Sequence, residues 1–253
     1  MIVKSDAIIL RSIKFRDTSK IITCYSKEFG QIKLLAKGAR SQKSKFGASL
    51  EPITESHIVF YKKEGKDLNL LSKCEIINSI NPFLKNYEIL VEALSIIEIF
   101  YRSHHHEEKN VKAYFLISET LKAISQSNPN ITQIIICFYL NLSKLFGVSL
   151  TLDHCHECKL DYKIEKNITT NYLIKSNGTL ICENCYNLKS TLSSFKIGKN
   201  LLQELILISN LNPQEVIKIN FPNLEFNELR NVLFEYITLH IEGIKNIQSQ
   251  KIF

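Results

Sequence analysis

Over the first eighty residues the apolar positions come in short runs, and after that they adopt a helical spacing. The early runs are Ala7-Ile8-Ile9-Leu10, Ile21-Ile22-Thr23-Cys24-Tyr25, Gln31 to Ala36, His57 to Tyr61 and Leu68 to Leu71. Several alternate, with Ile32, Leu34 and Ala36 on one face, which is the period of a strand with one buried side. Turn residues separate the runs: Glu28-Phe29-Gly30, the stretch from Gly38 to Gly47, and Lys63 to Asp67. Five short strands in this length predict a small closed barrel of the OB type over residues 1–80.

Asn81-Pro82 ends that pattern. Phe83 to Tyr101 then carries Leu90, Val91, Leu94, Ile97 and Phe100 at helical spacing, predicting one apolar face. Val111 to Ile124 predicts a second helix. Asn128-Pro129-Asn130 opens a third, Ile131 to Phe146, stopped by Gly147. Lys199 to Ser209 and Phe226 to Ile244 predict two more, with Asn212-Pro213 and Phe221-Pro222 between them. The expected class is α+β and multidomain: an N-terminal OB-fold β-barrel (1–80), then an α-helical domain (81–253) with an inserted four-cysteine zinc ribbon at 148–188.

The ribbon rests on cysteine spacing. Cys155-x-x-Cys158 and Cys182-x-x-Cys185 are two equal pairs with 23 residues between them. Each pair can aim two thiolates at one point, and two pairs can close the tetrahedron that a structural zinc ion prefers. Between them Thr170 to Lys175 and Thr179 to Ile181 predict two strands joined by a two-residue turn at Asn177-Gly178. Four thiolates leave no open coordination position, so the zinc expected here is structural. His154 and His156 flank Cys155 but are not needed as ligands. His104-His105-His106 reads as a solvated loop. Cys24, Cys74 and Cys137 lie on apolar segments and read as reduced core residues, in keeping with a cytoplasmic protein. No apolar run approaches a membrane span, and Met1 to Asp6 lacks the character of a signal peptide.

Charge adds a functional direction. The net charge is +7, and residues 1–80 hold fifteen Lys and Arg against eight Asp and Glu, so the whole excess lies in the barrel. Such an asymmetry suits a polyanionic partner. Lys33, Lys37, Arg40, Lys43 and Lys45 fall within thirteen residues with no acid among them. Gly38 and Gly47 let the backbone bend, Ser41 and Ser44 can donate to phosphate, and Phe46 could stack on a base. Arg11, Arg16 and Lys20 are further candidates for the same surface. No phosphate-loop, dinucleotide-binding or His-Glu-x-x-His motif occurs. One enzyme reading is a zinc base deaminase, with Glu157 moving protons. It conflicts with Ile181 where Pro is expected, with Cys158 as an unused thiol, and with the absence of a helical pattern after Glu157.

The residues resemble those of the bacterial recombination mediator family RecO along nearly the whole chain. Gly30-Gln31-Ile32 with Ala36-Lys37-Gly38-Ala39-Arg40 resembles its Gly-Lys-Ile…Ala-Lys-Gly-Ala-Arg signature. Phe138…Leu142…Leu145-Phe146-Gly147, Leu152-Asp153-x-Cys155-x-x-Cys158 and Gly178-Thr179-Leu180-Ile181-Cys182-x-x-Cys185 resemble the approach to its zinc site and the second knuckle. Tyr236…His240…Lys245…Ser249 resembles its last helix and tail. The resemblance implies a non-enzymatic protein, nucleoid-associated, that binds single- and double-stranded DNA. It implies annealing of strands coated with single-stranded DNA-binding protein without ATP, and help from RecR in loading RecA. Lys144 is the expected contact for the acidic, apolar-ended tail of single-stranded DNA-binding protein. The alternative is a zinc-ribbon and OB nucleic-acid module in transcription or RNA handling.

Overall fold

In the computed structural model the described residues are 1–63, 65–104, 108–126, 130–162, 169–187, 193–222 and 225–244. His105, His106, Asn128, Pro129, Lys245 and Ser249, named above, and Leu188, the expected end of the zinc ribbon, lie outside them. The chain forms two compact units, one built on Met1–Ser125 and the other on Gln126–Lys245.

The first unit is built on the five expected strands, β1 (Ile2–Phe15), β2 (Ser19–Ser26), β3 (Gly30–Ala36), β4 (Glu55–Tyr61) and β5 (Leu68–Asn78). They close in the order β1-β2-β3-β5-β4, with β4 returning to β1. All neighbours are antiparallel except β3 and β5, which pair in parallel through Lys33–Leu35 and Leu68–Leu70. Inward residues alternate along the strands as expected: Ile32, Leu34 and Ala36 are buried while Lys33 is exposed. Ala7, Ile9, Ile22, Cys24, Ile58, Phe60 and Leu71 complete the barrel core. Phe46 joins that core at 5% exposure. Its expected role as a base-stacking platform is therefore not available in this fold.

β1 is much longer than its apolar run, and a bulge between Ile9 and Arg11 shifts its register against β2. Bulges re-aim the side chains that follow them. Ile8 and Leu10, on the outer side, are buried too, because helices pack there. α1 (Tyr87–Ser103) starts at Asn86, whose side-chain oxygen accepts from the backbone N–H of Glu88 and Ile89. Its Phe100 ring meets Tyr25 of β2 edge-on at 4.9 Å. The buried face holds Val91, Ile96, Ile97, Ile99 and Phe100, whereas Leu94, expected on it, is exposed.

α2 (Val111–Gln126) is fastened to the barrel by one carboxylate. Glu55 of β4, 7% exposed, accepts from the Tyr114 hydroxyl at 2.6 Å and the Ser118 hydroxyl at 3.0 Å. The Asn78 amide and the Lys122 amine complete its shell. Burial alone would raise the Glu55 pKa, but these partners outweigh it and hold it below the usual value. Gly30 serves the same junction: at φ +67°, a Cβ there would lie 2.4 Å from the Glu108 carbonyl oxygen.

The second unit is organised around α3 (Ile131–Leu145), which buries Ile134 to Leu140 in an unbroken run. A helix apolar on all sides belongs at the centre of a bundle. It packs with α5 (Lys199–Ser209), α6 (Pro213–Val216) and α7 (Phe226–His240). α3 stops as the sequence requires. Gly147 adopts φ +71°, Val148 N–H donates to the Ser143 carbonyl and Gly147 N–H to that of Lys144, which is a Schellman cap. α7 ends at His240, earlier than the apolar pattern predicts. The inserted segment forms a sheet of order β7-β6-β8 from β6 (Thr170–Ile174), β7 (Thr179–Cys182) and β8 (Ser194–Gly198). α4 (Glu183–Asn187) follows β7. β8 is not among the expected strands, and it carries the insert beyond residue 188 to the start of α5.

Candidate metal centre and nucleic-acid surface

The four paired cysteines converge. Their sulfurs all lie within 4.8 Å of one another, and Cys158 Sγ is 3.9 Å from Cys182 Sγ. Four thiolates around one tetrahedral ion at Zn–S ≈ 2.3 Å would stand about 3.8 Å apart. The donor set and its spacing thus fit a metal ion such as zinc.

Local backbone geometry explains the convergence. At the first pair, Lys159 N–H donates to the Cys155 carbonyl and Cys155 N–H to that of Leu160, both at 2.9 Å, and Lys159 takes φ +61°. His156 N–H donates to the Leu180 carbonyl at 2.7 Å, tying the knuckle to β7. The second pair begins on the last residue of β7 and ends on α4, and Cys182 N–H points at Cys155 Sγ, 3.4 Å away. The hairpin turn between β6 and β7 is longer than expected. Ile174 pairs with Thr179, so four residues make the turn, and Gly178 alone takes positive φ, at +67°. Asn177 instead accepts through Oδ1 from the Thr179 hydroxyl and backbone N–H. Gly178 also has no room for a side chain, since a Cβ would lie 2.8 Å from the Tyr236 ring.

The thiols differ in acidity. Burial pushes Cys155 up, but backbone N–H groups of Cys182, Cys158 and Glu157 pull it down further, to about 7. Cys185 rises to about 12 through burial and its bonds to the Cys182 and Cys158 thiols. Cys182 is raised too, first by burial. Thiols packed together resist ionising together, and a cation at their centre reverses that. Cys158 stands within the cluster, so the fourth position is a sulfur, not an open one as the deaminase reading needs. Glu157 is exposed, and the described residues that follow it, 158–162, are not helical. His154 bonds Asp153 at 2.8 Å.

The basic residues separate into three groups. Arg40 folds its loop back onto the β1–β2 turn: its N–H donates to the Thr18 carbonyl at 2.8 Å, and its guanidinium to the Arg16 carbonyl at 3.2 Å. Strand register sets Lys20 between Lys14 and Ala36, beside Lys37. Arg16, Lys20, Lys37 and Arg40 thus share one end of the barrel with Lys14. Sequence reasoning passes over Lys14, though the pairing across a short hairpin is the signal that finds it. Lys20 is paired with Glu51 at 2.8 Å, which offsets its charge. Lys33 and Lys43 are exposed on the same strand and loop. Lys45 is held elsewhere, donating to the Ser72 carbonyl at 2.7 Å with its amine 5.2 Å from the Phe46 ring centroid. Arg11 lies beyond the β1 bulge, 6.0 Å from the ring centroid of Tyr101 on α1. Ser41 donates to the Gly38 carbonyl, and Ser44 accepts from Phe46 N–H, so both hydroxyls shape the loop itself.

Lys144 sits in the last turn of α3 with its amine on the Ser209 carbonyl. It borders a cavity of about 450 Å³ lined by Leu140, Leu150, Leu152 and Ile206, with Asp153 and His154 at one side.

Among the described residues no helix is long and apolar enough to cross a membrane. Two family models cover the chain, recombination protein O N terminal over residues 1–80 and recombination protein O C terminal over residues 84–248. The chain is 29% identical to the DNA repair protein RecO of Pelodictyon phaeoclathratiforme over 259 residues, 98% of this chain and 97% of the relative. It is 25% identical to that of Caldanaerobacter subterraneus subsp. tengcongensis over 240 residues, 94% and 93% of the two chains. It is 35% identical to that of Chlorobaculum parvum over 158 residues, 61% and 60% of the two. With both of its models matched in order along a barrel and a cysteine-bearing helical unit, the chain belongs to the recombination protein O family.

Proposed function

We propose that this protein is a DNA repair and recombination mediator that pairs complementary strands without covalent chemistry. The family itself is one of DNA repair and recombination. The observation that carries the reading is the clustering of Lys14, Arg16, Lys37 and Arg40 at one end of the barrel, where the Arg40 loop is tied to the β1–β2 turn. Each cation neutralises a phosphate and releases a counterion, so affinity falls as salt rises and does not depend on base sequence. Two anionic strands on one cationic surface repel each other less, and their bases can meet. Lys43 and Arg11 extend the contact, and Lys20 and Lys45 contribute less because Glu51 and the Ser72 carbonyl already hold them.

Zinc is the metal that the four thiols suit, and when bound it would brace the three-stranded insert. The cavity beside Lys144 is the docking place we assign to the acidic tail of single-stranded DNA-binding protein, whose apolar end would enter among Leu140, Leu150 and Ile206. RecR is the partner through which RecA would be loaded. The test uses two complementary strands, each coated with single-stranded DNA-binding protein, with pairing followed by fluorescence in the absence of ATP. Acceleration that high salt suppresses is expected. Binding to DNA or RNA without acceleration would favour a zinc-ribbon and OB module in transcription or RNA handling.

A further inference from the structure

A second feature of the barrel unit bears on how a strand is held. The bulge in β1 turns Arg11 toward α1, and between them lies an open cavity of about 380 Å³. Its floor is apolar, with Leu10 and Ile97 buried and Leu94 exposed at the mouth. Tyr101 stands at one side with the Arg11 guanidinium over its ring, 6.0 Å from the centroid. Across from them Arg102 donates to Glu98 Oε1 at 2.8 Å. Arg11 is followed on the same strand by Lys14, and Arg16 comes directly after the strand ends, at the basic end assigned above to DNA.

We infer that this cavity captures one unstacked base of the strand held on the basic end of the barrel, with Tyr101 as its stacking partner. The inference rests on the DNA-binding reading and goes beyond it, because the basic loop recognises phosphates alone. A base is flat and apolar on its faces and carries N–H donors on its edge. Leu10, Leu94 and Ile97 match the faces. The Glu98 carboxylate can accept from edge donors, and Arg11 can bind the adjoining phosphate. Charge decides against a strongly acidic peptide as occupant. Glu98 offsets Arg102, leaving a lining that balances a single phosphate but not a run of carboxylates.

The experiment places 2-aminopurine in single-stranded oligothymidylate and titrates the full-length protein into it at several salt concentrations. Quenching on binding is expected, as the fluorescent base leaves solvent and stacks. Tyr101→Leu should abolish the quench and weaken binding about tenfold, the scale of one base–aromatic stack. Its salt dependence should persist, because the phosphate contacts stay. Leu94→Gln should weaken the quench while keeping the thermal midpoint, which separates loss of the cavity from loss of fold. Salt-dependent binding with no quench, or full quench and affinity in Tyr101→Leu, would overturn base capture and leave the DNA-binding reading standing. Absence of any DNA binding by the unaltered protein would instead remove the reading on which it rests. A labelled acidic peptide with an apolar end, bound by the unaltered protein and no longer bound by Tyr101→Leu, would overturn base capture in favour of a peptide.

Discussion

The barrel and the cysteine insert are both small sheets, but they are held by different physics. The barrel closes on itself, so its strands have no free edge, and a continuous apolar core from Val3 to Cys74 fills it. Helices then bury part of its outside. Among its described residues the insert has three short strands, and the cluster around its thiols is small, with Cys155, Ile174, Ile181 and Cys182 buried together. Such a segment buries too little apolar surface to offset its own ordering entropy. The barrel can fold on burial, whereas the insert needs a cross-link, which its four thiols are placed to provide by holding a metal ion.

The sharpest way to break that comparison is to remove the metal. Chelation of the zinc-loaded protein, or Cys155→Ser with Cys182→Ser, should strip hydrogen-exchange protection from β6, β7 and β8 and leave β1 to β5 protected. Equal loss in both sheets would mean that the insert is not separately braced. Metal affinity on structural sites of this kind is worth about 10 kcal/mol or more, the largest effect expected here.

A smaller effect should appear in the barrel unit. Glu55→Gln keeps one acceptor but loses the charge-assisted bonds to Tyr114, Ser118 and Lys122, so the unit should lose about 2 kcal/mol in denaturant unfolding. The same group predicts a pH dependence. The fold holds the Glu55 pKa below its unfolded value, so its contribution is complete above the ordinary carboxylate range. It is lost as pH falls through the lower, folded value, where the folded state also takes up the proton. Unfolding midpoints followed from neutral to acid pH should therefore fall less in Glu55→Gln than in the unaltered protein.

Gly178→Ala tests the insert without touching sulfur. A positive φ and the Tyr236 ring both oppose a Cβ, and about 1–3 kcal/mol should be lost in thermal unfolding. Tyr236→Leu added to it should recover part of the loss if the ring contact contributes. The smallest effect on stability belongs to the basic end. Lys37→Glu with Arg40→Glu should stay within about 1 kcal/mol of the unaltered protein in unfolding. It should nonetheless weaken DNA binding on every sequence and flatten the slope of log affinity against log salt, by about one for each phosphate no longer neutralised. An unchanged slope would remove the loop from the DNA surface.

The local part of the fold is legible in the amino-acid order alone. Ile32, Leu34 and Ala36 announce a strand through their alternation, and Gly147 announces a helix end, because both signals arise within a few residues. The cysteine cluster is legible for the same reason, since each knuckle is a short turn with a repeated spacing. Leu94 and Phe46 are the residues that local pattern misplaces. Leu94 lies one turn from Leu90 and Val91 on the helix surface, yet it stays exposed at the cavity mouth. Phe46 sits in a polar loop whose return across the barrel end no local pattern records. β8 escapes because five residues with one buried position carry too little periodicity.

By itself, then, the sequence determined the types of the elements other than β8, the closed five-stranded sheet, the thiol set and the seat of the positive charge. Each of these follows from residue chemistry and short-range geometry. Only the tertiary structure decided which cations share a surface, since Lys14, Arg16 and Arg40 meet through strand register and a folded-back loop. It alone placed α1 and α2 in one compact unit with the barrel, although the pattern changes at Asn81-Pro82. That unit depends on Glu55, Tyr114, Ser118 and Lys122, whose separation along the chain is closed by packing that no local sequence signal encodes.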